Sequence, residues 1–73
     1  MNEVNDGRLL STREAQVLTL MAHGLSTKSI AAEMGVSPST VRSYGGRIVC
    51  KLGDFNRVHA IAVATRLGEI DPL

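Results

Sequence analysis

Few side chains in this chain carry reactive chemistry, and they are scattered. His23 and His59 fall on different segments with no acid at ligand spacing, so each reads as a surface or helix-end residue rather than a metal ligand. At a helix C-terminus His23 would gain slightly from the dipole when charged. The single cysteine, Cys50, can close no internal disulfide and build no cysteine-based zinc site. An inert small residue on the polar edge of a helix is a better reading of it than a redox-sensing thiol. No metal, cofactor or catalytic group is expected, and 73 residues are few to wall off a pocket around a catalytic constellation. The expectation is a protein that is not an enzyme.

The chemistry left over is cationic. Eight Lys and Arg stand against seven Asp and Glu, a formal +1 that looks bland. The charge is uneven, however. Positions 36–66 hold Arg42, Arg47, Lys51, Arg57 and Arg66 against Asp54 alone, a local +4, and the rest of the chain sums to −3. Phosphate backbones attract such a patch, and counterion release makes the attraction salt-dependent. The alternative, a merely solvated face, would have to account for the acids avoiding that same stretch.

These residues need elements to hold them, and the punctuation supplies four. Gly24, Gly35, Gly53 and Gly68 each follow a segment of helical period, where a left-handed residue ends a helix at little cost. Ser11 with Glu14 forms a capping box; Ser26 can cap a second segment, Ser37-Pro38 a third and Asn56 a fourth. No segment alternates apolar and polar residues as a half-buried strand would. The fold expected is all-α, with four helices.

Segment one, about 12–23, puts Val17, Leu18, Met21 and Ala22 on one face; segment two, about 27–34, turns Ile30, Ala31 and Met34 inward. After Gly35-Val36-Ser37, a longer segment at about 38–52 keeps Val41, Ile48 and Leu52 in register, with Val36 plugging the angle between the two. A short helix, a three-residue turn containing glycine and a longer helix describe a helix-turn-helix, with an ordinary α-hairpin as the rival. Residues 39, 42, 43, 46, 47 and 50 then point away from the core. Arg42 is the best-placed reader, because its planar fork can pair with guanine O6 and N7.

The pattern resembles a LuxR-type (GerE-like) DNA-binding domain. The resemblance lies in Leu10-Ser11-Thr12-Arg13-Glu14, Val17-Leu18 and the run from Gly24 to Ala31. It continues through Val36-Ser37, Ser39-Thr40-Val41-Arg42, Ile48, Lys51-Leu52-Gly53, Arg57 and Ala60, covering about residues 9–70. It implies a tetrahelical helix-turn-helix with the third helix in the major groove and the fourth available for dimerisation. It further implies base contacts at Arg42, Ser43 and Gly46, the last of which has no side chain to offer. The family often has an apolar residue at position 45 and a polar or basic one at 46, yet both are glycine here. Adjacent glycines inside a helix cost roughly 1 kcal/mol each relative to alanine. They fit close backbone approach to DNA, or relaxed specificity with Arg42 and Arg47 making most of the contacts, or drift in a weaker helix. Tyr44 stands where histidine is frequent; its ring can pack at the core edge and its hydroxyl can reach a phosphate.

Around the reading face, Thr27, Lys28, Ser37, Ser39 and Thr40 offer hydroxyls, an ammonium and helix-terminal amides to a phosphate backbone. Ser37 is a cap first and a contact second. Lys51 and Arg57 either clamp flanking phosphates or pair with Asp54. On the fourth segment Ala60, Ile61, Ala64 and Leu67 complete the core, while Val58, Ala62 and Thr65 form a second face for a partner copy of the helix. Scattered surface alanines are the plainer reading of that face. An isologous dimer would present two reading helices to half-sites about 10 bp apart.

The domain expected is 9–70, with a flexible segment at 1–8, a tail at 71–73 and a fraying polar N-terminal decapeptide. The 44% hydrophobic content excludes a disordered tail. The longest apolar run, Ala60–Ala64, is far short of the roughly 20 residues a bilayer requires. Residues 1–10 hold no apolar signal region. These features lead to a cytoplasmic, nucleoid-associated regulator that binds double-stranded DNA as a homodimer. Two rivals stand beside it. One is a sigma-factor region 4 that also meets RNA polymerase, although such a region does not require the segment opening at Asn56-Arg57. The other is a small antagonist that dimerises with a full-length regulator, an option that Gly45-Gly46 keeps open.

Overall fold

Three serines start three helices. The computed structural model describes residues 9–53 and 57–70, the side chain of Arg57 aside. In it α1 spans Thr12–Ala22, α2 Thr27–Met34, α3 Pro38–Leu52 and α4 Arg57–Arg66, with no strand among the described residues. Ser11 Oγ accepts from the Glu14 amide while the Ser11 amide donates to Glu14 Oε1 at 2.9 Å, which closes the predicted capping box. Ser26 accepts from the Ser29 amide and Ser37 from the Thr40 amide, with Pro38 in the first turn of α3 where its missing N–H is harmless. The Asn56 cap, the segments 1–8 and 71–73, and Asp54 lie outside the described residues.

Three of the helices, α1, α2 and α4, end on one device. At Gly35, φ is +69°, its amide donates to Ala32 O, and the Val36 amide reaches back to Ala31 O at 3.0 Å. This paired bonding is a Schellman motif, which uses up orphan carbonyls and turns the chain sharply. The same pair of bonds recurs after α1 (Gly24 to Met21, Leu25 to Leu20) and after α4 (Gly68 to Thr65, Glu69 to Ala64). After α2 the motif leaves Val36 half-buried against the core, so the predicted plug between α2 and α3 is in place.

Each helix lends an apolar stripe to one core of Leu10, Val17, Leu18, Ile30, Ala31, Val41, Ile48, Ala60, Ala64 and Ile70. Met21, Ala22, Met34 and Leu52 are half-buried at its margin. Two expectations need correction. Leu67 does not complete the core; it is 56% exposed at the position just past α4, before the chain turns at Gly68. Ile70 enters the core instead. Nor does the decapeptide fray at its end. Leu10 is buried, and the amides of Leu9 and Leu10 donate to the two carboxylate oxygens of Glu69 at 3.0 and 2.9 Å.

Candidate nucleic-acid interface

The outward side of α3 is the feature that the rest of the fold holds up. Ser39, Arg42, Ser43, Gly46, Arg47 and Cys50 are all exposed, as the helical period predicts, and α3 contains no acidic residue. At about 100° per residue, Ser39, Ser43, Gly46 and Cys50 fall on a narrow strip of small residues, with Arg42 about 40° beyond one side and Arg47 about 40° beyond the other. The helix thus offers a low ridge between two guanidinium groups.

The two arginines are held differently. Arg42 stands beside Thr27 of α2 along a cleft of about 250 Å³, walled mainly by Leu18, Met21, Val41, Gly45, Ile48 and Val49. The missing side chain at Gly45 leaves this cleft open: a Cβ there would meet only Met21 Cε, at 3.8 Å. Arg47 instead lies over an aromatic ring, its guanidinium carbon 5.5 Å from the centroid of Tyr44. Tyr44 is itself half-buried and packed against the core.

At the N-terminus of α3 the hydroxyls of Ser37, Ser39 and Thr40 cluster, Ser37 Oγ lying 3.0 Å from Thr40 Oγ1 and 3.4 Å from Ser39 Oγ. Lys28 is exposed and Thr27 half-buried in the first turn of α2. Through Thr27 the first turn of α2 shares the rim of the cleft with Arg42. Lys51 lies at the opposite end of α3, with a partner that the sequence reading did not name. Its ammonium donates to Glu14 Oε1 at 2.6 Å, across to α1. Glu14 is 3% exposed. Burial pushes its carboxyl upward, but the Lys51 ammonium and the Ser11 amide and hydroxyl outweigh that, and its pKa falls below the ordinary glutamate value.

On α4, Val58 is 74% exposed and Ala62 is exposed. Thr65 is half-buried, its hydroxyl donating to Ile61 O at 2.8 Å within its own helix. The backbone of Arg57 opens the helix. Sequence reasoning missed the Glu14–Lys51 pair, the Glu69 bonds and the Tyr44–Arg47 stack. Only the last had a local signal, the i,i+3 spacing that puts two helical side chains side by side. Among the described residues no cluster of His, Cys, Asp and Glu could hold a metal ion, and no helix is long and apolar enough to cross a membrane.

Comparison with known proteins meets this geometry at every level. The family described as bacterial regulatory proteins, luxR family (GerE) matches residues 8–64. The spore germination protein GerE of Bacillus subtilis is 36% identical over 63 residues, covering 86% of this chain and 85% of that protein. The probable transcriptional regulatory protein NarL of Mycobacterium tuberculosis is 44% identical over 63 residues, covering 86% of this chain and 29% of its own. The solved structure of the transcription factor GerE superposes with a TM-score of 0.82 at 36% identity, over 86% of this chain and 94% of that one. The response regulator ChrA of a heme-sensing two-component system gives 0.77 at 37% identity, over 81% of this chain and 29% of its own. The chain spans about a third of the length of relatives such as NarL. It belongs to the luxR family of bacterial regulatory proteins and is a DNA-binding helix-turn-helix domain of transcription regulation.

Proposed function

We propose that this domain binds operator DNA by laying α3 in the major groove. The observation that carries the reading is the acid-free outward face of α3, a ridge of small residues between Arg42 and Arg47. Arg42, Ser43 and Arg47 meet base edges, while bare Gly46 lets the backbone approach closely. Thr27, Lys28, Ser37, Ser39 and Thr40 meet phosphates around the N-terminal ends of α2 and α3, where helix-terminal amides favour anions. Lys51, whose side chain stays 34% exposed beside Glu14, and Arg57 hold the flanking backbone. Two copies pair through Val58, Ala62 and Thr65 of α4, in the cytoplasm, at the nucleoid.

The test is a fluorescence-anisotropy titration on operator-containing and random duplexes at several salt concentrations. Affinity should fall with salt, and Lys28→Ala should weaken binding to all sequences and reduce the log–log salt slope by about 1. Absence of any salt-sensitive affinity in the wild-type chain overturns the reading. One observation favours a second reading: Val58 at 74% and Leu67 at 56% exposure offer apolar surface to a different chain as readily as to a copy. In that reading the domain pairs with a full-length regulator and antagonises it. Pairing without DNA affinity would establish it.

A further inference from the structure

The sequence offered Tyr44 as a phosphate contact through its hydroxyl, but its geometry suggests a different part. The ring is half-buried and fixed by packing against the core, so it is a rigid platform. Arg47 is one turn further on and exposed, and its guanidinium lies over that ring at 5.5 Å. Helical side chains lean toward the N-terminus of their helix, so an i,i+3 stack draws the guanidinium of Arg47 back along α3. Around the helix, Tyr44 lies about 60° from Arg47 on the side away from Ser43 and Arg42, so the stack holds the guanidinium at the flank of the small-residue ridge, apart from Arg42. Gly46, immediately before Arg47, adds no side chain to hem it in. Left unheld, a long arginine on an exposed helix samples many rotamers, and ordering it on binding costs conformational entropy. A ring that already holds it lowers that cost.

We infer that Tyr44 is a positioning residue, which stacks Arg47 and so sets which base pair Arg47 addresses. The inference rests on the DNA-binding reading above and specifies how that face is organised. The ring, not the hydroxyl, does the positioning.

The experiment compares wild type, Tyr44→Phe, Tyr44→Leu, Arg47→Ala and the Tyr44→Leu/Arg47→Ala double variant. Each is titrated on a panel of duplexes varied one base pair at a time, alongside thermal unfolding. Tyr44→Phe should bind as wild type does. Tyr44→Leu should lose about two- to fivefold in affinity, the range expected of an exposed cation–π contact. It should blur preference at the same base pair that Arg47→Ala blurs, and add nothing in the Arg47→Ala background. In the DNA-free protein, the side-chain resonances of Arg47 should show a ring-current shift in wild type and Tyr44→Phe that Tyr44→Leu abolishes. A loss in Tyr44→Phe equal to that in Tyr44→Leu would assign the role to the hydroxyl and overturn the inference. So would a Tyr44→Leu defect that persists without Arg47, or one spread evenly over all sequences with lowered stability. Absence of the ring-current shift in wild type overturns it without touching DNA binding, whereas a wild-type chain that binds no duplex removes the DNA-binding reading itself.

Discussion

Arg42 and Arg47 carry the same charge on the same helix, yet their surroundings give them different work. Arg42 borders the N-terminal turn of α2 beside Thr27, while Arg47 rests on an aromatic platform. Replacing Arg42 with alanine should cost about 1–3 kcal/mol of binding and relax preference at one base pair, measured by anisotropy on single-substitution duplexes. Glu14 illustrates a different consequence of placement. Its folded carboxyl is more acidic than in the unfolded chain, so its contribution to stability is fully present above the ordinary glutamate pKa of about 4.3. That contribution is lost as pH falls through the lower folded value. Urea unfolding of wild type should therefore weaken as pH falls from 4.3, and Glu14→Gln should flatten that part of the profile; equal acid sensitivity in both would show that the pair with Lys51 is not responsible.

At the scale of elements, α3 has two glycines where the fold does not demand them. A Cβ at Gly46 meets nothing, and one at Gly45 makes ordinary contact with Met21. Gly45→Ala should accordingly stabilise the domain by about 1 kcal/mol. In a domain of this size that is a rise of roughly 4–8 °C in Tm, and DNA affinity should be unchanged. An unchanged or lowered Tm would mean that the bare position serves the packing of α3. What was legible in the chain was local: serine caps, glycine stops, the three-residue turn and the side of α3 that faces outward all depend on neighbours within a few positions. Hidden contacts were long-range. Lys51 finds Glu14 across 37 positions, and Glu69 meets the Leu9 and Leu10 amides across 60 and 59, so no spacing announces them. Helical period carried one position past the end of α4 puts Leu67 in the core, where Ile70, beyond the turn, is buried instead.

Across the whole molecule, a net charge of +1 conceals a basic half built largely of α3 and α4 and an acidic remainder. A core drawn from so short a chain seldom yields more than about 3–5 kcal/mol, which makes burial of the exposed face of α4 against a second copy a substantial gain. Sedimentation of Ala62→Glu tests this: the wild type should self-associate and the variant should not, and identical behaviour would remove α4 from any interface. A last property follows from the carboxylate of Glu69. By gripping the amides of Leu9 and Leu10, it brings the two ends of the domain to one point. Topologically the domain is close to a ring whose break could be moved. A circular permutant that joins residue 73 to residue 1 by a short glycine-serine linker and opens between Gly24 and Leu25 should still fold. Its far-ultraviolet circular dichroism should match that of the parent, with a lowered Tm because the cut parts Leu25 from the end of α1 that it closes. Tandem copies could then be fused head to tail through very short spacers, each keeping its reading helix on the outside.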